Sequence, residues 1–240
     1  MKRLQDKIVM VTGGSRGIGQ SICELFADEG AQVIALDVIP LQYAKEHVTY
    51  MPLDVADEAA CLDVFTRVVD QYGRVDVLIN NAGITRDAMT AKMTDEMWNL
   101  VMNVNLKGMF NLVRYVGPHM QENGQGSIVQ ISSIVGEYGN IGQANYAAAK
   151  AGIHGLTQTW AKEFARRGAQ VRVNTISPGN IATDILKTVP EAILKDMVSK
   201  IALKRAGEPI ELAKAALFLA CDDSSYITGI NLSVNGGMKM

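Results

Sequence analysis

Short apolar runs alternate along the chain with longer segments in which apolar residues recur every three to four positions. The short runs are rich in valine and isoleucine and therefore predict buried strands. They occupy residues 7–12, 32–37, 48–51, 75–80, 127–132, 171–176 and 230–234. The longer segments predict helices at residues 17–29, 58–72, 95–121, 144–167 and 208–221. This alternation predicts the α/β class, with a doubly wound parallel sheet of about seven strands and helices on both faces.

The length of the chain agrees with one unit of this architecture. Its 240 residues contain no internal repeat, no low-complexity tract and no linker rich in Pro, Gly or Ser. Residues 1–240 are therefore expected to form a single domain. Ligands bind to such sheets beyond the carboxyl ends of the strands, so candidate chemistry is expected directly after each strand.

Composition and charge exclude several functional classes. Lys and Arg number 23 and Asp and Glu 25, and the resulting net charge of −2 argues against nucleic acid as a partner. The apolar runs are far shorter than the ~20 residues that cross a bilayer, and the N-terminal residues lack the apolar segment of a secretory signal. Neither the histidines nor the three cysteines, Cys23, Cys61 and Cys221, have metal-ligand spacing. We therefore expect no metal, no membrane partner and free thiols in a reducing, cytoplasmic compartment.

Three glycines mark the first predicted strand-to-helix junction, TGGSRGIG at residues 12–19. Gly13, Gly17 and Gly19 allow a tight turn and a close approach of the backbone to a pyrophosphate, which the N–H groups of the next helix would bind. An acidic residue, Asp37, ends the second strand 20 residues after Gly17. This combination predicts a dinucleotide site, and the alternative is an ordinary loop between a strand and a helix.

Asp37 also bears on the choice of cofactor. Its carboxylate is suited to accept hydrogen bonds from the adenosine ribose hydroxyls, and it would repel a 2′-phosphate. The next residue is Val38, so no basic side chain follows it. Arg16 in the glycine turn is a possible partner for a 2′-phosphate, which keeps NADP open. The sequence favours NAD(H), and the alternative role for Asp37 is that of a helix N-cap.

Two more strand ends point to the same site. Asp54 follows the third strand, where its carboxylate is suited to the adenine amino group. Asn81, in the sequence NNAG, follows the fourth strand. It either lines the cofactor or ties neighbouring strands together, and the structural role is at least as favoured.

Tyr146 and Lys150 are four residues apart in NYAAAK and so share one face of a predicted helix. A phenol ordinarily titrates near pH ~10. A neighbouring ammonium and a cationic nicotinamide would lower the pKa of Tyr146, which could then exchange a proton with a carbonyl or alcohol oxygen. The alternative is a pair of side chains on a helix surface.

Ser133 ends the predicted strand at residues 127–132 and lies thirteen residues before Tyr146. Its hydroxyl is a candidate for orienting the substrate oxygen, although Ser132 competes for that role and a turn or cap serine is the alternative. Asn105 lies in a long helical segment although asparagine is a weak helix former. A local break there would let the backbone bind a water that links Lys150 to solvent, and the alternative is a plain buried amide.

Together these motifs resemble the short-chain dehydrogenase/reductase family. The resemblance rests on TGGSRGIG, NNAG, NVNLKG, the set of Ser133, Tyr146 and Lys150, and SPGNIAT at residues 177–183, and it extends from residue 7 to residue 237. It implies a Rossmann fold, a nicotinamide cofactor and a homotetramer. By this resemblance Tyr146 is the acid–base residue and Ser133 orients the substrate. Lys150 binds the nicotinamide ribose and tunes the phenol, and Asn105 belongs to a proton relay.

The resemblance also implies a set of cofactor contacts. Thr183 would bond the nicotinamide carboxamide, and Ile181 would pack beside the ring. The complete set of implied cofactor positions is Thr12, Gly13, Arg16, Gly17, Ile18, Gly19, Asp37, Asp54, Val55, Asn81, Gly83, Tyr146, Lys150, Pro178, Gly179, Ile181 and Thr183.

Within the family the sequence is most similar to 3-oxoacyl-(acyl-carrier-protein) reductases, through NNAGITRD, GQANYAAAKAG and ITGINLSVNGGM. Those enzymes usually use NADPH and lack an acid where Asp37 stands. Their basic face for the acidic carrier protein is matched at Arg166 and Arg167 but not at residues 122–126, so an acyl carrier protein is one possible partner and a CoA thioester or small ketone is another.

Reduction of a 3-oxoacyl thioester with NADH is the leading hypothesis. An apolar segment at residues 184–201 is expected to form a lid over the substrate, which suits an acyl chain, although simple helix packing is the alternative. The alternative enzymes are an NAD-dependent dehydrogenase of a small secondary alcohol, sugar or steroid, and a 3-hydroxyacyl-CoA dehydrogenase. A non-catalytic nucleotide sensor is disfavoured by the complete set of four candidate catalytic residues.

Overall fold

One parallel sheet forms the centre of the molecule. The computed structural model describes residues 2–183 and 191–238, with no side chains described at 191–194. The strands are β1 (Ile8–Thr12), β2 (Gln32–Asp37), β3 (Val48–Pro52), β4 (Val77–Asn80), β5 (Gln125–Ile131), β6 (Gln170–Pro178) and β7 (Asn231–Val234). They are hydrogen-bonded in the order β3-β2-β1-β4-β5-β6-β7, and every pair is parallel. The predicted sheet of seven strands is therefore confirmed for the described part of the chain.

Helices cover both faces of this sheet. They are α1 (Gly17–Asp28), α2 (Glu58–Tyr72), α3 (Asp95–Met102), α4 (Gly108–Glu122), α5 (Val135–Tyr138), α6 (Ala144–Phe164), α7 (Glu191–Ser199) and α8 (Pro209–Ala220). Side chains of α1 and α8 pack on one face, and side chains of α2, α4 and α6 pack on the other. Because both faces are covered, all five residues of β1 are buried and the strand is apolar throughout.

The predicted helix at residues 95–121 is interrupted. A π-helical turn at Asn103–Lys107 separates α3 from α4. The lid predicted at residues 184–201 lies partly outside the described residues, since 184–190 are not described and the following segment is α7. Among the described helices, none is both long and apolar enough to span a membrane.

The strand order creates a crevice at one edge of the sheet. β1 is followed in the chain by β2 on one side, and its neighbour on the other side is β4. The connections that leave β1 and β4 therefore turn in opposite directions, which opens a gap at the carboxyl ends of these two strands. The glycine turn follows β1 and the NNAG sequence follows β4, so both motifs border this gap.

Candidate active site

The crevice between β1 and β4 is held by a side-chain clamp. The Thr12 hydroxyl oxygen accepts hydrogen bonds from the N–H groups of Asn81 and Ala82, each at 3.0 Å. The Asn81 amide donates to the carbonyl oxygens of Thr12 and Gly13, at 3.0 and 3.1 Å. Of the two roles considered for Asn81, the contacts therefore support the tie between strands.

The turn between β1 and α1 has no space for larger residues. Gly13 and Gly17 have left-handed φ angles of +65° and +56°. A Cβ atom on Gly19 would lie 1.9 Å from the Gly13 carbonyl oxygen, so only glycine fits there. Arg16, just before α1, is exposed, and its side chain does not cap the helix. Ile18 is half-buried in the first turn of α1 and packs against the core on that face.

Asp37 ends β2 next to this turn. Its carboxylate accepts the backbone N–H of Ser15 at 3.1 Å and that of Ile39 at 3.3 Å. No helix begins directly after β2 in the described structure, so the N-cap alternative for Asp37 is wrong. Val38, the following residue, is 66% exposed. The carboxylate thus stands at the rim of the crevice, fixed by the glycine turn.

Asp54 and Val55 follow β3. The Asp54 carboxylate is exposed and accepts the N–H of Ala56 at 2.9 Å. Val55 is buried. Its side chain lies against Gly108, where an added Cβ atom would be only 2.6 Å from a Val55 methyl carbon. Its carbonyl oxygen accepts the Asn111 amide at 2.9 Å, so this segment is fixed to α4.

The far wall of the crevice is formed after β6. Pro178 ends that strand, and its carbonyl oxygen accepts the N–H of Ile134 at 3.0 Å, while Gly179 donates to Val234 at 3.0 Å. Ile181 is buried and forms a bridge with Gly207. Thr183 and the first turn of α1 line one cavity, and the Thr183 methyl group lies 3.6 Å from the position of a Cβ on Gly17.

Tyr146 and Lys150 lie on one face of α6, as predicted from their spacing. The Lys150 ammonium is 5.6 Å from the centroid of the Tyr146 ring. Lys150 is buried, and its Nζ donates to the carbonyl oxygen of Ile131 at 2.8 Å. Burial lowers the pKa of Lys150 to about 7. A Cβ on Gly83 would lie 3.4 Å from this Nζ, so the NNAG segment reaches the catalytic face of α6.

The surroundings of Tyr146 within the protein raise its pKa, and the lowering expected from Lys150 together with a cationic nicotinamide stays a prediction. Burial of the phenol is the main cause, and the Asp87 carboxylate adds to it, whereas a hydrogen bond with Ser133 lowers the pKa. Lys150, whose pKa is about 7, has lost its proton at the higher pH at which the phenol ionises, so it does not offset these effects. The structure therefore presents a protonated phenol at neutral pH.

The two neighbouring serines have different surroundings. Ser133 contacts the Tyr146 phenol, and its oxygen accepts the N–H of Val135 at 3.1 Å. Ser132 is buried behind α6, where its hydroxyl donates to the Lys150 carbonyl oxygen at 2.8 Å. Since that hydroxyl has only one proton, His154 Nε2, 3.1 Å away, must donate to it. Ser133 is thus the serine beside the phenol, and Ser132 fixes the helix.

Asn105 lies on the π-helical turn and is fully buried. Its side-chain oxygen accepts the N–H of Ile84 at 3.1 Å, and its amide donates to the Ile84 and Val101 carbonyl oxygens, each at 2.9 Å. A Cβ on Gly83 would lie 2.6 Å from the Asn105 oxygen. The predicted break in the helix is therefore present, and the amide joins it to the NNAG segment.

Sequence reasoning missed three polar residues next to Tyr146. Asn145 is buried and donates to the carbonyl oxygens of Arg86 and Met97, at 3.0 and 3.2 Å. Gln143 donates to the Asp87 carboxylate at 3.0 Å. Gln143 stands directly before α6 and only three positions from Tyr146 in the sequence, and this proximity was a usable signal. Asp87 had no local signal, because Gln143, which it contacts, is 56 positions away in the sequence.

Neither a metal centre nor a disulfide accompanies these residues. Within the described ranges, no group of three or more His, Cys, Asp or Glu side chains is placed to hold a metal ion. All three cysteines are buried free thiols.

Comparison with known proteins identifies the family. A family model described as enoyl-(acyl carrier protein) reductase matches residues 13–239. The chain is 46% identical to 3-oxoacyl-(acyl-carrier-protein) reductase FabG of Thermotoga maritima over 245 residues, which cover 98% of this chain and 99% of the relative. It is 42% identical to the protein of that name in Vibrio cholerae over 243 residues, 99% of each chain. It is 45% identical to acetoacetyl-CoA reductase of Rhizobium meliloti over 237 residues, 96% of this chain and 98% of the relative. With matches of this extent, the chain belongs to the short-chain dehydrogenase/reductase family and is a nicotinamide-dependent oxidoreductase.

Proposed function

We propose that this chain reduces 3-oxoacyl thioesters with NADH, and that residues 1–240 act as one dinucleotide-binding and catalytic domain. One observation carries the proposal: the Tyr146 phenol, the Ser133 hydroxyl and the Lys150 ammonium meet at the carboxyl edge of the sheet that also holds the glycine turn. The names of the relatives support the substrate class, since they act on a 3-oxoacyl group carried by a protein or on acetoacetyl-CoA.

The residues along this edge fit a dinucleotide. The glycine turn brings bare backbone to the crevice, and no described side chain caps the start of α1, which leaves its N–H groups for a pyrophosphate. Thr183 and Ile181 stand on the opposite wall, where the nicotinamide end would be held. When bound, the nicotinamide supplies the hydride.

The remaining chemistry belongs to the side chains around the phenol. Ser133 Oγ would orient the substrate carbonyl oxygen beside Tyr146. The raised pKa of Tyr146 keeps its phenol protonated at neutral pH, which suits donation of a proton to that oxygen during reduction. Lys150, with a pKa of about 7, exchanges its own proton near neutrality and is suited to reprotonate the phenol, and a water bound by the backbone at Asn105 would link Lys150 to solvent.

The surroundings of Asp37 support NADH over NADPH. The fixed carboxylate would accept ribose hydroxyls and repel a 2′-phosphate, and the exposed Val38 offers no compensating charge. We expect a higher kcat/KM with NADH. The double change Asp37→Ala, Val38→Arg should reduce the NADH-to-NADPH ratio of kcat/KM by at least about tenfold, because it removes the repulsion and adds a cation. Preference of the unaltered enzyme for NADPH would contradict this assignment.

The carrier of the acyl group is a CoA or an acyl carrier protein. Arg166 and Arg167, which match a carrier-binding position, follow the end of α6. Helix α6 has 21 residues and is roughly 30 Å long, so these arginines lie far from Tyr146 of the same chain. A carrier bound by these arginines would therefore deliver its acyl group to the active site of another subunit of the proposed homotetramer. The buried free thiols support the proposed cytoplasmic location, and neither nucleic acid nor membrane is proposed as a partner.

The variant Tyr146→Phe tests the proposal. With NADH, we expect the enzyme to reduce acetoacetyl-CoA, and the variant to lose at least about 100-fold in kcat because the proton donor is gone. NADH affinity, followed by its fluorescence, should change less than about threefold, since the ring is retained. Crotonyl-CoA and small ketones serve as comparison substrates. Retained turnover in the variant, or turnover of the enoyl thioester or a small ketone alone, would overturn the proposal.

A further inference from the structure

Two loops meet in front of the Tyr146 phenol and are joined by polar contacts. The Gln143 amide donates to the Asp87 carboxylate at 3.0 Å, and the Gln143 oxygen accepts the Asn140 amide at 2.9 Å. The backbone is tied as well, since Ala88 N–H donates to the Gly142 carbonyl oxygen at 2.9 Å. The loop after β4 and the loop before α6 therefore form one fixed rim.

The Asp87 carboxylate on this rim acts on the reaction centre. Gln143, which holds it, is the residue directly before α6 and precedes Tyr146 by three positions in the chain. The carboxylate contributes to the raised pKa of the phenol. Asp87 is exposed, and among the described residues no cation forms an ion pair with it.

The two cations next to this region, Lys150 and Arg86, form other contacts and no ion pair with the Asp87 carboxylate. The Lys150 ammonium, 5.6 Å from the centroid of the Tyr146 ring, is bound to the Ile131 carbonyl oxygen. The neighbouring Arg86 guanidinium donates to the Thr85 carbonyl oxygen. Among the residues that the structure describes, the Asp87 carboxylate is therefore left without a paired cation.

The same two loops also expose apolar side chains. On the same two loops, Met89 is 60% exposed and Ile141 is 84% exposed. Exposed apolar side chains of this kind suit an uncharged acyl group.

We propose that Asp87 is a specificity residue that disfavours free 3-oxo acids and thereby restricts the site to neutral thioesters and esters. The inference rests on the proposed function. In a 3-oxo acid the carboxylate is two carbons from the reacting carbonyl, whereas a thioester has a neutral carbonyl at that position. Repulsion between two like charges at a partly exposed site would reduce kcat/KM by about five- to tenfold.

The test compares acetoacetate with methyl acetoacetate, two substrates with the same reacting ketone that differ in charge. We expect Asp87→Asn to raise the ratio of kcat/KM for the acid to that for the ester by about five- to tenfold, while the ester alone changes little. Asparagine can still accept the Gln143 hydrogen bond, so the rim is preserved. Glu96→Gln, which removes an exposed carboxylate from the first turn of α3, is the matched control and should leave the ratio unchanged.

Ionic strength provides a second readout that a merely structural role would not change. Salt should raise kcat/KM for acetoacetate in the unaltered enzyme, because it screens the repulsion, and should have much less effect in Asp87→Asn. An unchanged acid-to-ester ratio in Asp87→Asn, or the same salt response in both proteins, would overturn the inference.

Binding measurements separate this inference from the proposed function. Dissociation constants of the two compounds from the NADH complex should show the same change of ratio in Asp87→Asn, with or without turnover. Thioester reduction with an unchanged ratio would overturn only the role of Asp87. A changed binding ratio without reduction of any thioester would overturn only the proposed function, and failure of both compounds to bind would overturn both.

Discussion

Burial of the Lys150 ammonium in this site opposes folding of the chain. The ammonium is buried and has one hydrogen-bond partner, the Ile131 carbonyl oxygen. Burial disfavours the charged form, so its pKa falls from 10.5 to about 7. Between these two values the unfolded chain binds more protons at this residue than the folded chain does. The free energy of unfolding therefore rises with pH across that window. The destabilisation caused by this buried group is largest below about pH 7.

The variant Lys150→Met should show this penalty. The variant should have a higher free energy of unfolding than the unaltered protein, and this gain should be larger at pH 6 than at pH 9.5. The gain at pH 6 should exceed the gain at pH 9.5 by roughly 3 kcal/mol. Urea unfolding at both pH values measures the difference. Lys162→Met removes an exposed ammonium from the same helix and should show no such pH dependence. A pH-independent effect of Lys150→Met would contradict the assigned cause.

The glycine turn gives a second prediction for a single residue. Gly19→Ala would place a Cβ atom 1.9 Å from the Gly13 carbonyl oxygen, so the turn must move. We expect at least a tenfold loss of NADH affinity and roughly 1–3 kcal/mol of stability. Gly155→Ala on α6 is the control, since its Cβ would meet nothing within 4 Å. It should gain up to about 1 kcal/mol. Fluorescence titration and urea unfolding test both, and unchanged NADH binding in Gly19→Ala would count against the role of the turn.

Single residues were predictable from the sequence where the signal is local. The spacing of Tyr146 and Lys150 and the glycine turn followed by Asp37 are patterns within one or two elements. The direction of the Tyr146 pKa shift within the protein was not predictable, because it depends on burial and on Ser133 and Asp87, which other segments bring close. The roles of the cofactor and catalytic residues remain predictions.

The sequence predicts which segments are helices and which are strands. The residues at which these elements begin and end depend on tertiary contacts. β6 runs for nine residues, longer than its apolar run, because it pairs with both β5 and β7. The break between α3 and α4 was suggested by Asn105, a weak helix former. Its form, a π-helical turn, is stabilised by an amide that binds the backbone of Ile84, which no local pattern contains.

Replacement of that amide should destabilise the interrupted helix. Asn105→Ala leaves the N–H and carbonyl groups of Ile84 without this partner, so we expect a loss of about 2–3 kcal/mol. Hydrogen exchange at the Ile84 amide should become faster. Asn99→Ala, at an exposed position of α3, should change stability by less than about 0.5 kcal/mol. Equal stability losses in the two variants would contradict the role of the amide.

Across the whole molecule, two apolar layers enclose the sheet and also enclose the thiols. Cys23 and Cys221 belong to the layer of α1 and α8, and Cys61 belongs to the layer of α2, α4 and α6. The alternation of strands and helices predicted this arrangement, since a parallel sheet needs cover on both faces. The strand order follows from right-handed connections that change direction once, after β3.

Thiol reactivity reports on the integrity of these layers. Burial raises the pKa of Cys23 and of Cys61 to about 12, so little thiolate is present at pH 8. Ellman's reagent should react slowly with the folded protein and should release three thiols per chain in denaturing urea. Rapid reaction of a thiol without denaturant would show that a layer opens locally.

The clamp of Thr12 and Asn81 has a consequence for the kinetics of recognition. It spaces the ends of β1 and β4 through four hydrogen bonds that belong to the protein itself. A coenzyme arriving there meets a preorganised groove, so little conformational entropy is lost in shaping it. Differences in coenzyme residence time among variants should then arise from contacts broken on departure, with association rates nearly constant.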